Sequence, residues 1–195
     1  MTELNECETP TLIVVTGRPG SGKTTLAHTL AREIRCPVIS RDEIKEGFVN
    51  TIKNTEIQKS AAQTYVFNVF FDTLAFLLSK RITLVAEAAF QHKLWVPQLE
   101  PLQRIAQIRL ILCSIDPALA RSRFIQRSVA DPQRAYFHGD SPMQTIEEVP
   151  EQLIATYQPP MMDVPTLTID TANGYAPSIK EIEIFIYNPE SKQDT

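Results

Sequence analysis

The chain has 195 residues, 43% of them hydrophobic and 22% charged, with a formal net charge of −4. That length supports one α/β domain with a substantial core. The acidity argues against broad nucleic-acid binding through phosphate neutralisation, and no apolar run is long enough to span a bilayer.

Cys7, Cys36 and Cys113 are odd in number and form no C-x-x-C. A disulfide framework or zinc site is therefore not expected. The acidic start lacks the basic and apolar regions of a secretory leader, so the expected compartment is a reducing cytoplasm.

The first element is an apolar run over 12–15, read as a strand. It feeds directly into Gly17-Arg18-Pro19-Gly20-Ser21-Gly22-Lys23-Thr24, the pattern G-x-x-x-x-G-K-[ST] of a phosphate-binding loop. Glycines let the backbone wrap an anion with its N–H groups turned inward. Lys23 reaches the β- and γ-phosphates, and Thr24 offers a hydroxyl to Mg²⁺. Residues 25–35 are predicted helical, which aims a helix N-terminus at the same anion. Gly17, Arg18, Pro19, Gly20, Ser21, Gly22, Lys23, Thr24 and Thr25 form the expected set for a nucleoside triphosphate. The plain alternative is a glycine-rich strand-to-helix turn with no ligand.

A second strand, 38–39, runs into Ser40-Arg41-Asp42-Glu43-Ile44-Lys45. The carboxyl ends of parallel strands form the ligand crevice. A carboxylate at Asp42 would orient or deprotonate an acceptor hydroxyl for in-line attack, or help hold Mg²⁺. The alternative is local: Ser40 caps a helix, and Asp42 and Glu43 are favourable acids in its first turn.

Residues 55–80 read as one long helix. Ile57, Ala61, Tyr65 and Val69 form one row, widened by Val66, Phe70, Leu74 and Leu77. Thr64, Asn68 and Asp72 form a polar stripe read as a solvated face. The strand 82–86 ends in Glu87, the form of a Walker B acid with glutamate in place of aspartate. Glu87 is a candidate for Mg²⁺ or for the acceptor; strand-end acids also cap helices. Phe90, Gln91, His92 and Trp95 follow, either stacking on an acceptor ring or packing in the core. A helix over about 92–104 contains Pro97 and Pro101.

The strand 108–115 leads to Asp116-Pro117, an N-cap with proline at the first helical position. That helix carries Arg121, Arg123 and Arg127; the last two are four apart and share a face. Arg134 and His138 lie in an irregular stretch over 130–142. The strand 166–169 and a helix over 178–186 close the chain. Runs apolar at every position, alternating with helices, predict five parallel strands in one domain.

The segments 12–27 and 38–45 resemble the kinase domain of phage-type polynucleotide 5′-kinases. They are also similar to a wider group of small P-loop kinases with an AAA-type ATP-binding domain, which includes chloramphenicol phosphotransferase and zeta toxins. The resemblance implies an α/β P-loop NTPase three-layer sandwich, with a five-stranded parallel sheet and a helical lid at about 116–145. It implies Asp42 as base toward the acceptor hydroxyl. It places Lys45 where polynucleotide kinases use an acceptor-contacting arginine; a lysine is a point charge and not a planar fork. It matches Arg123 and Arg127 to the R-x-x-x-R lid motif, whose charge compensates the transferring phosphoryl group. By position alone, Asn173 and Gly174 border the adenine.

The expected function is ATP-dependent transfer of a γ-phosphate to a hydroxyl, with Mg²⁺ as the metal. Lys23, Asp42, Arg123 and Arg127 are the expected catalytic residues. Asp42, Lys45 and Glu87 face the acceptor, and Thr24 and Glu87 face the metal. The acceptor is a small molecule or nucleotide-like; the acidity and Lys45 argue against a polynucleotide end. The rival is a nucleotide-driven switch without an acceptor. It is disfavoured by the lack of an N-K-x-D guanine motif and by the short chain.

Overall fold

Five short apolar runs become five parallel strands: β1 (Thr11–Gly17), β2 (Val38–Ser40), β3 (Leu84–Glu87), β4 (Gln107–Ser114) and β5 (Thr166–Asp170). Their spatial order is β2-β3-β1-β4-β5. The computed structural model describes residues 9–52, 59–131, 137 and 156–188. Six helices accompany the strands there: α1 (Lys23–Glu33), α2 (Arg41–Thr51), α3 (Lys59–Ser79), α4 (His92–Leu102), α5 (Pro117–Ala130) and α6 (Ile179–Tyr187).

Strand side chains alternate between faces, and in β1 both faces are covered. Leu12 and Val14 pack with Leu84, Ala86, Ile108 and Leu110 against Phe70, Leu74 and Leu78 of α3 and Trp95 and Leu99 of α4. Ile13 and Val15 pack with Val85, Ile111 and Ile169 against Leu26 and Leu30 of α1 and Ile182 and Ile186 of α6. The result is a three-layer sandwich with β1 in the centre. The chain leaves β1 for the β2 edge and later crosses to β4 on the other side. All five carboxyl ends therefore open on one rim at a point where the winding reverses, the ligand crevice of such sheets.

Three details differ from the local pattern. In α3 the core row is Val66, Phe70, Leu74 and Leu78, while Tyr65 is 53% exposed and stacks on Phe48. The strand β3 begins at Leu84 and not at Ile82. Ile82 N–H instead closes α3 by donating to Leu77 O (3.1 Å), after a left-handed Arg81 (φ 61°). The helix α4 stops two residues short of position 104, with Pro97 and Pro101 inside it, where the bonding tightens to Gln103 N–H on Glu100 O (3.3 Å) and Arg104 N–H on Pro101 O (3.4 Å). Thr64, Asn68 and Asp72 are exposed, as a solvated face should be.

The helix termini follow their residues. Asp116 accepts from Ala118 N (2.9 Å) and Leu119 N (3.0 Å) at the start of α5. Ser178 and Glu181 form a reciprocal capping box on α6. Residues 156–160 return to the sheet at the start of α4. There His92 N–H donates to Gln158 O (2.8 Å) and Gln158 N–H donates to Gln91 Oε1 (2.7 Å). Met161 N–H donates to His92 Nδ1 (3.1 Å). Gln91 and His92 thus hold a backbone segment.

Candidate functional site

The loop after β1 is shaped by what packs on it. A Cβ on Gly20 would lie 2.0 Å from Ala120 O of α5, and Gly20 has φ 80°. A Cβ on Gly17 would meet Ser21 Oγ at 2.6 Å and Cys113 O at 2.7 Å. Glycine is therefore required at both positions. Ser21 N–H donates to Arg18 O (3.1 Å), which tightens the turn.

Gly22 then starts α1, and no side-chain cap or first-turn acid stands at that helix end. Its first N–H groups and the positive end of its dipole face the rim, the arrangement that takes an anion. Lys23 is the first helical residue, Thr24 is half-buried beside it, and Thr25 is exposed.

Three neighbouring strand ends join beneath this loop. The β3 register sets Glu87 opposite both Val15 of β1 and Ser40 of β2. Glu87 is 1% exposed. Its Oε2 accepts from Ser40 Oγ (2.8 Å), and its Oε1 lies 3.7 Å from Lys23 Nζ. Ser40 occupies the N-cap position of α2, but its hydroxyl serves Glu87 and caps nothing.

Asp42 stands in the first turn of α2, with its side chain 39% exposed and Oδ1 accepting from Arg41 Nη1 (3.1 Å). It belongs to the β2 edge, two strands from the loop, or about 10 Å at the usual inter-strand spacing. His28 of α1 meets Glu43 of α2 at 2.6 Å, joining the helices that carry Lys23 and Asp42. Lys45 is buried, one turn beyond Asp42. Arg18 Nη1, in the loop after β1, and Arg41 Nε, at the start of α2, are buried with no hydrogen-bond partner among the described residues.

On α5 the two arginines diverge. Arg123 donates from Nη1 to Thr171 O (2.9 Å) and from Nη2 to Ala172 O (2.6 Å), which anchors the helix to the loop after β5. Arg127 is exposed, with its guanidinium 5.9 Å from the Phe124 ring centroid. Of the stretch expected as a lid, residues 132–136 and 138–145 lie outside the described residues, Arg134 and His138 among them. Asn173 and Gly174 are exposed in the loop after β5, and Gly174 has φ 90°.

The aromatic residues after β3 belong to the core. Trp95 is fully buried and packs edge-on against Phe70, Phe71 and Phe90. Its Nε1 donates to Thr16 Oγ1 (3.1 Å), whose own proton goes to Ala88 O (2.7 Å). Thr16 has one proton to give, so Tyr157 OH, 2.6 Å away, donates to it as well. This closed network seats the segment that begins at residue 156 against the base of the phosphate loop. Sequence reading missed Thr16, Tyr157 and Thr171; the first and last carry the signal of a position at or just past a strand end, and Tyr157 carries none.

Burial pushes Cys113 from 9.0 up to about 12 and Cys36 from 9.0 up to about 11. It raises Tyr157 from 10.0 to about 12, against the opposing pull of a hydrogen bond with the Gly17 backbone. Each folded value exceeds the unfolded one, so the native state keeps protons that the unfolded chain releases. This stability is complete below about pH 9 and is lost as pH rises from 9 toward 12. The free energy of urea unfolding is expected to fall across that window, less steeply in Tyr157→Phe. An equal slope in the variant would remove the phenol from the effect.

Among the described residues no cluster of His, Cys, Asp or Glu is poised to hold a metal, and no helix is long and apolar enough to cross a membrane. Mg²⁺ commonly takes few protein ligands and completes its shell with water and substrate phosphates. The Thr24 hydroxyl suits such a site. Glu87 is already engaged by Ser40 and Lys23, so it would reach the ion through water.

A family model described as an AAA domain matches residues 12–160. No curated protein matches the chain. Among solved structures, a Chloroflexus aurantiacus J-10-fl protein provisionally assigned as a kinase is 26% identical. The match covers 92% of this chain and 98% of that one, with a TM-score of 0.77. A gluconokinase from Sinorhizobium meliloti 1021 is 16% identical over 93% of this chain and 94% of its own, with a TM-score of 0.57. Shikimate kinase from Acinetobacter baumannii, solved with shikimate, is 16% identical over 94% and 96%, with a TM-score of 0.55. The fold is the α/β fold of P-loop kinases.

Proposed function

The chain belongs to the AAA domain family, and from that membership we propose that it is an ATP-dependent phosphotransferase. It moves the γ-phosphate to a hydroxyl of a small-molecule or nucleotide-like acceptor. The observation that carries this reading is the rim itself. A glycine loop runs into an uncapped helix N-terminus with Lys23 at its mouth, and a carboxylate, Asp42, stands two strands away. That separation leaves room for a transferring phosphoryl group and an acceptor between donor cradle and base.

Phosphoryl transfer is chiefly positioning and charge compensation. The loop amides and Lys23 bind the β- and γ-phosphates. Glu87 holds Lys23 and, through Ser40, the start of α2, so donor and acceptor sides share one buried carboxylate. Asp42 accepts the acceptor's proton, and Lys45 lies on the same helix. Arg127 supplies positive charge over the transferring oxygens when α5 closes. Arg123 anchors that helix in the conformation described. The Thr24 hydroxyl would hold a Mg²⁺ ion, which would supply positive charge to offset that of the triphosphate. The buried, unpartnered N–H groups on Arg18 and Arg41 favour an acceptor that carries an anionic group.

The test is γ-labelled ATP with Mg²⁺, offered with gluconate, shikimate, nucleosides and a 5′-hydroxyl oligonucleotide. Label moving to one of these, or to a compound in a metabolite extract, is the expected result. Label released only as orthophosphate at the same rate with and without extract would favour a nucleotide-driven switch.

A further inference from the structure

We infer that Thr171, the residue after β5, is the positioning residue of the phosphate loop. Its hydroxyl holds the Ser21 carbonyl so that the next amide, Gly22 N–H, faces the triphosphate. The inference rests on reading the loop as a nucleotide cradle and adds a residue from outside the loop pattern.

Thr171 is 5% exposed. Its Oγ1 lies 2.8 Å from Ser21 O and 3.2 Å from Ser114 O. The hydroxyl has one proton. Ser114 O already accepts from the Thr171 backbone N–H (3.0 Å), so the shorter contact, to Ser21, takes it.

The C=O and N–H of a trans peptide point in opposite directions. Fixing the Ser21 oxygen on Thr171 therefore turns the Gly22 N–H to the far side of the loop, where phosphate oxygens bind. Without that tie the Ser21–Gly22 peptide has little to stop it turning over, because glycine occupies either backbone region at low cost. A turned peptide would set a carbonyl oxygen against the phosphates. Thr171 is itself fixed from the other side: Arg123 of α5 grips its carbonyl and that of Ala172. Its Cβ lies 4.0 Å from the position a Gly22 Cβ would take, in direct contact with the loop.

The experiment is calorimetric titration of the full chain with Mg·AMP-PNP, together with an unfolding curve for each variant. Thr171→Val keeps the shape and removes the donor; Thr171→Ser keeps the donor. Valine is expected to weaken binding about tenfold, the scale of one lost hydrogen bond, while serine stays within about threefold. Wild-type affinity in Thr171→Val, or an equal loss in serine and valine, overturns the inference. Should Thr171→Val fail to fold, Thr171→Ala is read in the same way. If both unfold while Thr171→Ser folds, the hydroxyl serves the whole fold and the inference is wrong. Absence of binding by the wild type is a different failure: it removes the nucleotide reading, and this inference with it.

Discussion

Replacing Asp42 by asparagine is expected to lower phosphoryl transfer by about 10² to 10⁴, the usual contribution of a positioned general base, with Mg·ATP affinity unchanged. The side chain stands on the rim of the strand ends but on the far side of β3 from the loop, where as a base it would act on the acceptor and not on the nucleotide. Asparagine keeps the shape and can still accept from Arg41 Nη1, so the substitution tests proton acceptance alone. A first-turn acid that only favours its helix would behave differently. Its loss would cost a few tenths of a kcal/mol up to about 1 kcal/mol of stability and leave transfer intact. Single-turnover transfer, measured beside nucleotide binding, separates the two. Transfer within about threefold of wild type would strike Asp42 from the mechanism and leave it as a helix-start acid.

The parts of this site readable from sequence are those whose physics is local. The loop Gly17–Thr24 is contiguous, so its pattern is readable at once, although what demands glycine at positions 17 and 20 is remote: Cys113 of β4 and Ala120 of α5. The Asp116–Pro117 start of α5 and the Ser178–Glu181 box of α6 are likewise settled within four residues. What sequence could not supply is the order of the strands, and the site depends on it. Ser40, Glu87 and Lys23 meet only because β3 inserts between β2 and β1. Local reasoning therefore offered the Ser40 hydroxyl no partner but a helix cap, as the alternative reading of that segment. Thr16 and Tyr157, 141 residues apart, are joined by the same long-range closure. The α3 rows failed for another reason. The helix is apolar around much of its circumference, so periodicity could not choose between Tyr65–Val69 and Val66–Phe70, and packing on the sheet chose the second. Spacing put Arg123 and Arg127 on one face. Only the carbonyls of Thr171 and Ala172, supplied by a segment far along the chain, pull Arg123 toward β5.

Lys23→Ala is expected to do two separable things, because this lysine has two partners. Toward the nucleotide, it would remove the buried cation proposed to meet the phosphates. Losing one member of such a charge pair costs about 2 kcal/mol or more, so the affinity for Mg·ATP should fall at least about 30-fold. Toward the fold, it strands Glu87, which is almost wholly buried and whose partners are the Ser40 hydroxyl and the Lys23 ammonium. Breaking a buried ion pair from one side costs about 3–5 kcal/mol. At 3.7 Å, with Ser40 still donating, the lower end applies, on the order of 10 °C in melting temperature for a chain of this size. The double variant Lys23→Ala with Glu87→Gln removes the stranded charge while keeping an oxygen for Ser40. Its melting temperature should return most of the way to wild type, while nucleotide affinity stays low. If affinity returned together with stability, Lys23 would matter only as the counter-ion of Glu87, and the donor phosphates would have to be held by the loop amides and α1 without it.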